Sequence, residues 1–174
     1  MELLIGCGKN RDKKLRSPGR SEWDGLVTLD HEARHNPDRV WDLVDIPLPF
    51  LDDELFEIHA YEVLEHVGRQ GDYEFFFRQF SDFWRVLRPN GVLFGTVPLP
   101  TSVWAWGDPS HTRVIPKESF TFLSQPTYEQ VGRTPMSDFR TIYKADFDLI
   151  HMKENGELLE FALRAVKPSR CKCM

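Results

Sequence analysis

The sequence predicts an α/β fold: a mostly parallel sheet of about seven strands, with a C-terminal antiparallel hairpin and helices on both faces. Three observations support this prediction. Short apolar runs alternate with polar segments. The segment 72–87 has the period of an amphipathic helix. Two strand-like runs near the end of the chain are separated by Asn155-Gly156, a pair that favours a tight hairpin turn.

The individual elements follow from these patterns. Five apolar runs are typical of strands: residues 2–5, 26–29, 40–44, 55–60 and 92–97. The helical stripe consists of Phe76, Phe80, Phe83 and Leu87. We expect Pro89-Asn90-Gly91 to end that helix. A short helix is expected at 117–123, followed by hairpin strands at 147–152 and 158–166.

Length and composition argue against several classes of function. The 174 residues fit one domain, 1–174, and the formal net charge of −5 argues against a non-specific nucleic-acid binder. No apolar run approaches the roughly 20 residues of a membrane helix, so a cytoplasmic location without membrane contact is the expectation. The cysteines are few, and Cys171 and Cys173 are interpreted as a frayed tail rather than a zinc site.

Glycine and carboxylate residues follow the predicted strands. Gly6 and Gly8 come directly after the first strand, where glycines allow a ligand to approach the backbone or simply form a tight turn. Asp30 closes the second strand and can accept the two hydroxyls of a ribose, or cap a turn. Asp42, with Asp45 as a competitor, could accept the amine of an adenine. Together these positions favour a nucleoside ligand.

Several runs then resemble a known family. The matching text is Leu48-Pro49-Phe50, the run from Phe56 to His66, and the run from Arg85 to Leu93. It resembles the class I S-adenosylmethionine-dependent methyltransferases, in the broad small-domain group called type 11, over roughly residues 2–123. The resemblance implies a Rossmann-like fold, S-adenosylmethionine as cofactor and S-adenosylhomocysteine as product. Residues 1–97 would form the cofactor half and 98–174 the substrate-side loop and last strands.

The resemblance also implies residue roles. Gly6, Cys7 and Gly8 would lie against the methionine part of the cofactor. The remaining cofactor residues would be Asp30 at the ribose, Asp42 and Leu43 at the adenine, and Ala60 and Tyr61 near the sulfonium. His31, the neighbour of Asp30, is also expected to bind the cofactor. His66 belongs to the family's Leu-Glu-His signature and has either a structural or a catalytic role. The chain departs from the family at Asn10, which replaces a glycine, and in the shortness of segment 8–26, which weakens the usual cover over the methionine end.

The loop 104–113 faces the acceptor side in this arrangement. It carries an Asp-Pro-x-His-x-Arg pattern similar to that of some bacterial and phage members. His111 could take a proton from an incoming O–H or N–H, and Arg113 could bind a carboxylate or phosphate. Alternatively, an Asp108–Arg113 pair and buried tryptophans merely hold the loop.

The sequence therefore predicts methyl transfer to an O or N atom of a small-molecule or nucleotide-like acceptor. Two alternatives stay open: an RNA or protein methyltransferase that needs a partner, and an inactive cofactor-binding module. A nicotinamide-dependent dehydrogenase is disfavoured because Arg11 stands where its third glycine is required. The common DNA methylases are disfavoured because Ala60-Tyr61-Glu62-Val63 replaces their motifs. No metal site is expected, since the histidines are scattered along the sequence.

Overall fold

A seven-stranded sheet forms the centre of the molecule. The computed structural model describes residues 1–172. The strands are β1 (Glu2–Ile5), β2 (Leu26–Asp30), β3 (Arg39–Val40), β4 (Leu55–Tyr61), β5 (Leu87–Pro98), β6 (Phe147–Asn155) and β7 (Leu158–Ala165). They lie in the order β3-β2-β1-β4-β5-β7-β6, with β7 antiparallel to both β5 and β6 and the other pairs parallel. The predicted mostly parallel seven-stranded sheet with a C-terminal antiparallel hairpin is confirmed.

The chain order reverses between β1 and β4. Strands β2 and β3 extend the sheet on one side of β1, whereas β4 and β5 extend it on the other. Ligands of open α/β sheets bind beyond the carboxyl ends of the strands at such a switch point. The residues that follow Ile5, Asp30 and Tyr61 are therefore brought together at one edge of the sheet.

Helix α1 (Tyr73–Val86) covers the larger apolar core on one face of the sheet. It begins at Asp72, whose side chain accepts a hydrogen bond from the Phe75 amide at 2.9 Å. Phe80 and Phe83 of the predicted stripe are fully buried in that core. The remaining helices are short: α2 (Val103–Gly107) and 3₁₀ helices at Ala33–His35, Leu64–His66, Lys117–Leu123 and Gln125–Gln130. No helix within residues 1–172 has the length and apolar character needed to span a membrane.

Three element boundaries differ from the prediction. The third strand contains only Arg39–Val40, and residues 41–44 leave the sheet because the Trp41 amide makes the last bond, to the Asp30 carbonyl, before a turn at Asp42. Residues 89–91 lie inside β5, which begins directly after α1 and is bulged against β4. The hairpin turn is Gly156-Glu157, with Gly156 at φ +61 and Asn155 still in β6. Of the C-terminal cysteine pair, Cys173 lies outside the described residues.

The second face of the sheet has a different cover. The segment 9–25 crosses it without forming a helix, and Leu15 packs against Val92 and Phe94 there. Helices were expected on both faces of the sheet, but on this face the short segment, interrupted by Pro18 and Gly19, takes the place of a helix. Its contacts with the sheet are largely polar, so the second face depends on ion pairs and hydrogen bonds more than on apolar burial.

Lys13 is the centre of this polar layer. Its Nζ lies 2.8 Å from Glu2 Oε2 and 2.9 Å from Glu57 Oε2, and all three side chains are at most 3% exposed. Burial opposes the ionisation of Glu57, but bonds from His59, Ser17 and Lys13 outweigh it and lower the pKa of Glu57 to about 2. The Glu57 carboxylate is therefore ionised, and the lysine lies between it and the carboxyl group of Glu2.

We predict that Lys13→Met lowers the free energy of unfolding by about 3 to 5 kcal/mol, since it removes the buried cation that two carboxylates share. The matched control is Lys14→Met. Lys14 pairs with Glu62 at 3.1 Å, but both side chains are more than 40% exposed, so we expect a loss of at most about 1 kcal/mol. Urea unfolding at neutral pH measures both values. Equal losses in the two variants would show that the buried layer does not need its cation.

Candidate functional site

A cavity of about 410 Å³ opens at the carboxyl ends of β1, β2 and β4. Its wall includes predicted cofactor residues together with positions that sequence analysis did not single out. The lining residues are Gly6, Gly8, Asp30, His31, His35, Trp41, Asp42, Leu43, Val44, Glu62, Val63, His66 and Val67. We call this the first cavity. Its volume is within the range of small-molecule sites.

The glycine turn forms one side of the first cavity. Gly6 has φ +57, and a Cβ at this position would lie 2.2 Å from Val63 Cγ2. Gly8 has φ +51 with open space around it, and its amide donates to Asp30 Oδ2 at 2.8 Å. Left-handed backbone at both positions explains why glycines stand there. At Gly6, the close packing of Val63 also leaves no room for a side chain.

Asp30 presents a buried carboxylate to the first cavity. Its Oδ1 accepts the Glu32 amide at 2.9 Å, and the His31 and His35 imidazoles lie 3.4 and 3.3 Å away. Burial alone opposes ionisation, but hydrogen bonds from the Glu32 and Gly8 amides outweigh it and lower the pKa of Asp30. The group is an ionised acceptor held in fixed orientation.

An apolar wall lies across the first cavity from the glycine turn. Leu43 and Val67 are buried, and Trp41 is half-buried. Asp42 is exposed, and its Oδ1 accepts the Val44 amide at 3.1 Å. The competing Asp45 does not line the cavity. A flat apolar ring could pack against this wall with a carboxylate at its edge.

Arg11 closes the glycine turn. Its guanidinium donates to the Gly8 carbonyl at 2.7 Å and to the His35 carbonyl at 3.1 Å. These bonds join the segment after the glycine turn to the 3₁₀ helix at Ala33–His35. Arg11 stands where a dinucleotide-binding motif would have its third glycine. Its side chain instead fixes the wall of the first cavity by these two hydrogen bonds.

Three predicted cofactor residues do not line the first cavity. Ala60 is fully buried in the core, and the Cys7 thiol lies 3.9 Å from Asp30 in a buried position. The Tyr61 hydroxyl contacts His59 Nδ1 at 2.7 Å and accepts the Leu15 amide at 2.9 Å, so its ring belongs to the second face of the sheet. The cavity is lined instead by the next residues, Glu62 and Val63.

Glu62 was not singled out from the sequence, yet it has an unusual backbone. Its φ is +53, and its amide donates to the Thr96 carbonyl at 2.9 Å. A left-handed conformation in a glutamate stores strain, and such strain clusters at functional sites. A strand-end glutamate gives no sequence signal for this conformation.

A second cavity of about 530 Å³ adjoins the first, and Glu62 and His66 line both. Its other lining residues are Glu65, Pro98, Ser102, Trp104, Asp108, His111, Asn155, Glu157 and Leu158. The imidazoles of His66 and His111 lie edge to face with centroids 4.7 Å apart. The structure thus brings together the two histidines that the sequence suggested separately.

Arg113 does not line the second cavity. It is buried, donating to the Leu64 carbonyl at 2.8 Å and to Gln79 Oε1 at 2.5 Å, and burial lowers the pKa of its guanidinium to about 10. The Asp108–Arg113 pair offered as the alternative is also wrong, because Asp108 accepts from the amide and hydroxyl of Ser110 instead. Arg113 therefore supports the 3₁₀ helix at Leu64–His66 through the Leu64 carbonyl and does not face the second cavity.

Glu65 is the carboxylic acid beside the two histidines. It is 2% exposed, and its Oε2 has no hydrogen-bond partner. Burial raises the pKa of Glu65 to about 7. The sequence signal was present in Leu64-Glu65-His66, but the meeting with His111 depends on a loop 45 residues further along the chain.

Comparisons with solved structures agree with this fold. A structure described as an S-adenosylmethionine-dependent methyltransferase from Archaeoglobus fulgidus has a TM-score of 0.57 at 14% identity, covering 94% of this chain and 85% of that one. N-methyltransferase NodS from Bradyrhizobium japonicum, in complex with S-adenosylhomocysteine, has a TM-score of 0.50 at 12% identity and covers 94% and 76%. The chain has the fold of S-adenosylmethionine-dependent methyltransferases. The [4+2]-cyclase SpnF shares the fold with a TM-score of 0.54 at 13% identity, covering 95% and 74%. No protein-family model and no curated protein matches the sequence.

We predict that Gly6→Ala destabilises the protein more than Gly8→Ala. Both variants incur roughly 1 to 2 kcal/mol for a left-handed alanine, but only Gly6→Ala forces a Cβ against Val63, which adds about 1 to 3 kcal/mol. Denaturant unfolding of the two variants measures the difference. A larger loss in Gly8→Ala would contradict the packing of the turn against Val63.

Proposed function

We propose that the protein is an S-adenosylmethionine-dependent methyltransferase that acts on an O or N atom of a small acceptor. One observation carries the proposal: two cavities meet at Glu62 and His66, and the first contains the glycine turn and the ionised Asp30. Such an arrangement suits a nucleoside cofactor in one cavity and its acceptor in the other. Solved structures with this fold include one in complex with S-adenosylhomocysteine.

The first cavity fits the cofactor by its chemistry. The Asp30 carboxylate accepts hydrogen bonds from two backbone amides and keeps further lone pairs, which suit the two hydroxyls of a ribose. The apolar wall of Trp41, Leu43 and Val67 suits the adenine ring. The open backbone of the glycine turn suits the methionine part. These assignments direct the reactive end of the cofactor toward the junction at Glu62 and His66.

The residues of the second cavity have the simpler task of alignment. The cofactor supplies a methyl group that is already activated for displacement. The protein holds the acceptor in line and excludes water, and imidazoles of His66 and His111 can accept the proton of an O–H or N–H acceptor. Alignment alone suffices where the acceptor releases its proton readily.

Charge narrows the class of acceptor. The carboxyl groups of Glu62, Glu65, Asp108 and Glu157 line the second cavity, and among its described lining residues there is no lysine or arginine. A phosphate-rich strand is disfavoured in such surroundings. We therefore favour a neutral or cationic small molecule over RNA, and the exposed ring of Trp104 offers it a flat apolar surface.

The inactive-module alternative is less well supported. It was suggested by the short segment after Gly8, but Arg11 and the buried ion pairs of Lys13 fix this segment against the sheet. A reaction other than methyl transfer is the remaining competitor, since a cyclase shares the fold. Release of S-adenosylhomocysteine separates the two.

We predict that S-adenosylhomocysteine binds near the micromolar range, about −8 kcal/mol. Asp30→Ala should weaken binding by about 100-fold or more, because two charge-assisted hydrogen bonds to the ribose are lost. Calorimetric titration measures both affinities. Asp138→Ala is the control, since Asp138 pairs with Arg140 and lines neither cavity. Equal affinity for NAD, or no binding by the folded wild type, would contradict the proposal.

We predict that His111→Ala lowers turnover by roughly 100-fold or more while the affinity for S-adenosylhomocysteine stays unchanged. The assay measures S-adenosylhomocysteine released from S-adenosylmethionine with a panel of phenols, alcohols and amines. His151→Ala serves as control, because His151 is an exposed residue of β6 near Glu160. The methyltransferase proposal fails if no acceptor in the panel stimulates release.

A further inference from the structure

We propose that Glu65, His66 and His111 form a binding site for a divalent metal ion in the second cavity. One ligand atom from each of these residues lies within 4.8 Å of the other two. One carboxylate and two imidazoles form a facial set that leaves positions open on a transition-metal ion. Donor atoms about 2.1 Å from a common ion are about 3 to 4 Å apart, so small rotations, chiefly of the exposed His66, complete the site.

Glu65 provides the first argument. Its side chain is buried, and Oε2 has no hydrogen-bond donor. A buried carboxyl oxygen without a partner is costly. The residue lines the second cavity, so a cation in that cavity satisfies the oxygen directly.

The two imidazoles provide the second argument. His111 is 8% exposed at its side chain, its Nε2 lies 3.8 Å from Asp108 Oδ2, and its buried Nδ1 has no partner. His66 Nδ1 lies 3.3 Å from the Ser110 carbonyl oxygen, which leaves Nε2 available. Metal-bound histidines typically direct their second nitrogen to a carboxylate or carbonyl oxygen. His66 has this arrangement, and the Nε2 of His111 faces the Asp108 carboxylate at 3.8 Å, beyond hydrogen-bond distance.

A second cluster of carboxylates and a histidine provides a comparison for the proposed metal site. Glu2, Glu57 and His59 are also close enough to share an ion. There, however, Lys13 Nζ lies 2.8 and 2.9 Å from the two carboxylates and already supplies the cation. The second cavity has the acidic groups but, among the described residues that line it, neither lysine nor arginine.

The donor set selects the kind of ion, and the position suggests its use. Imidazole ligands favour Zn²⁺ or Fe²⁺ over Mg²⁺ and Ca²⁺, and Mn²⁺, which also suits carboxylate ligands, serves as a spectroscopic probe. With an ion bound, the two imidazoles are occupied as ligands, so the ion takes over their proposed role toward the acceptor: its open positions could hold a hydroxyl oxygen and lower the pKa of that hydroxyl. This role rests on the proposed function, whereas the site itself does not.

The test is metal binding to the full chain stripped of metal with a chelator. Mn²⁺ is followed by electron paramagnetic resonance and Zn²⁺ by calorimetry, with Mg²⁺ for comparison. We expect one Mn²⁺ or Zn²⁺ per chain, bound at least about tenfold more tightly than Mg²⁺. Glu65→Gln and His111→Gln should each weaken binding by about 100-fold, and His151→Gln should leave it unchanged.

Two further measurements keep the test decisive. Circular dichroism and thermal unfolding establish that each variant is folded, and His66→Gln, at an exposed position, replaces Glu65→Gln if the latter unfolds. S-adenosylhomocysteine affinity is measured on the same samples. Metal binding without S-adenosylhomocysteine binding supports the site and overturns the proposed function. The site is overturned if the wild type binds Mn²⁺ and Zn²⁺ no more tightly than the folded His66→Gln and His111→Gln variants.

Discussion

The carboxylate of Asp30 is the fixed point on which the first cavity depends. It joins the glycine turn after β1 to the loop after β2, through the amides of Gly8 and Glu32. Because these amides lie on different segments, the carboxylate sets the distance between them. The same hydrogen bonds keep it ionised despite burial. The structure of the cavity and the proposed recognition of the ribose therefore use one side chain, and the hydrogen bonds that hold the cavity wall need no ligand.

The two faces of the sheet are stabilised by different interactions. Helix α1 covers one face by apolar burial, in the manner expected of an amphipathic helix. On the other face Lys13 pairs with both Glu2 and Glu57, and His59 and Tyr61 extend the hydrogen bonds to the backbone of Leu15. A segment too short and polar for a helix can cover a sheet in this way. Its stability then depends on complete pairing of the buried charges.

Sequence reasoning located the fold and the first cavity because both depend on local signals. Apolar runs mark the strands, and Gly6, Gly8 and Asp30 follow their ends directly. It misplaced Tyr61, whose side chain shares a face with Glu57 and His59 through the two-residue period of β4. The proximity of Glu65 and His66 to His111 could not be predicted from the sequence, because it depends on how α1 and β5 pack between these residues. Nor does any local pattern give Glu62 a positive φ.

The shared wall between the two cavities has a consequence for the order of events in turnover. Glu62 and His66 face both cavities, so any movement of either residue that accompanies occupancy of one cavity alters the other. Thermodynamic linkage makes this influence equal in both directions. In the proposed reaction, S-adenosylhomocysteine that holds Glu62 and His66 in place would change how tightly the next acceptor binds. Release of a ligand from the first cavity and binding of a ligand in the second cavity would then be coupled through the positions of Glu62 and His66.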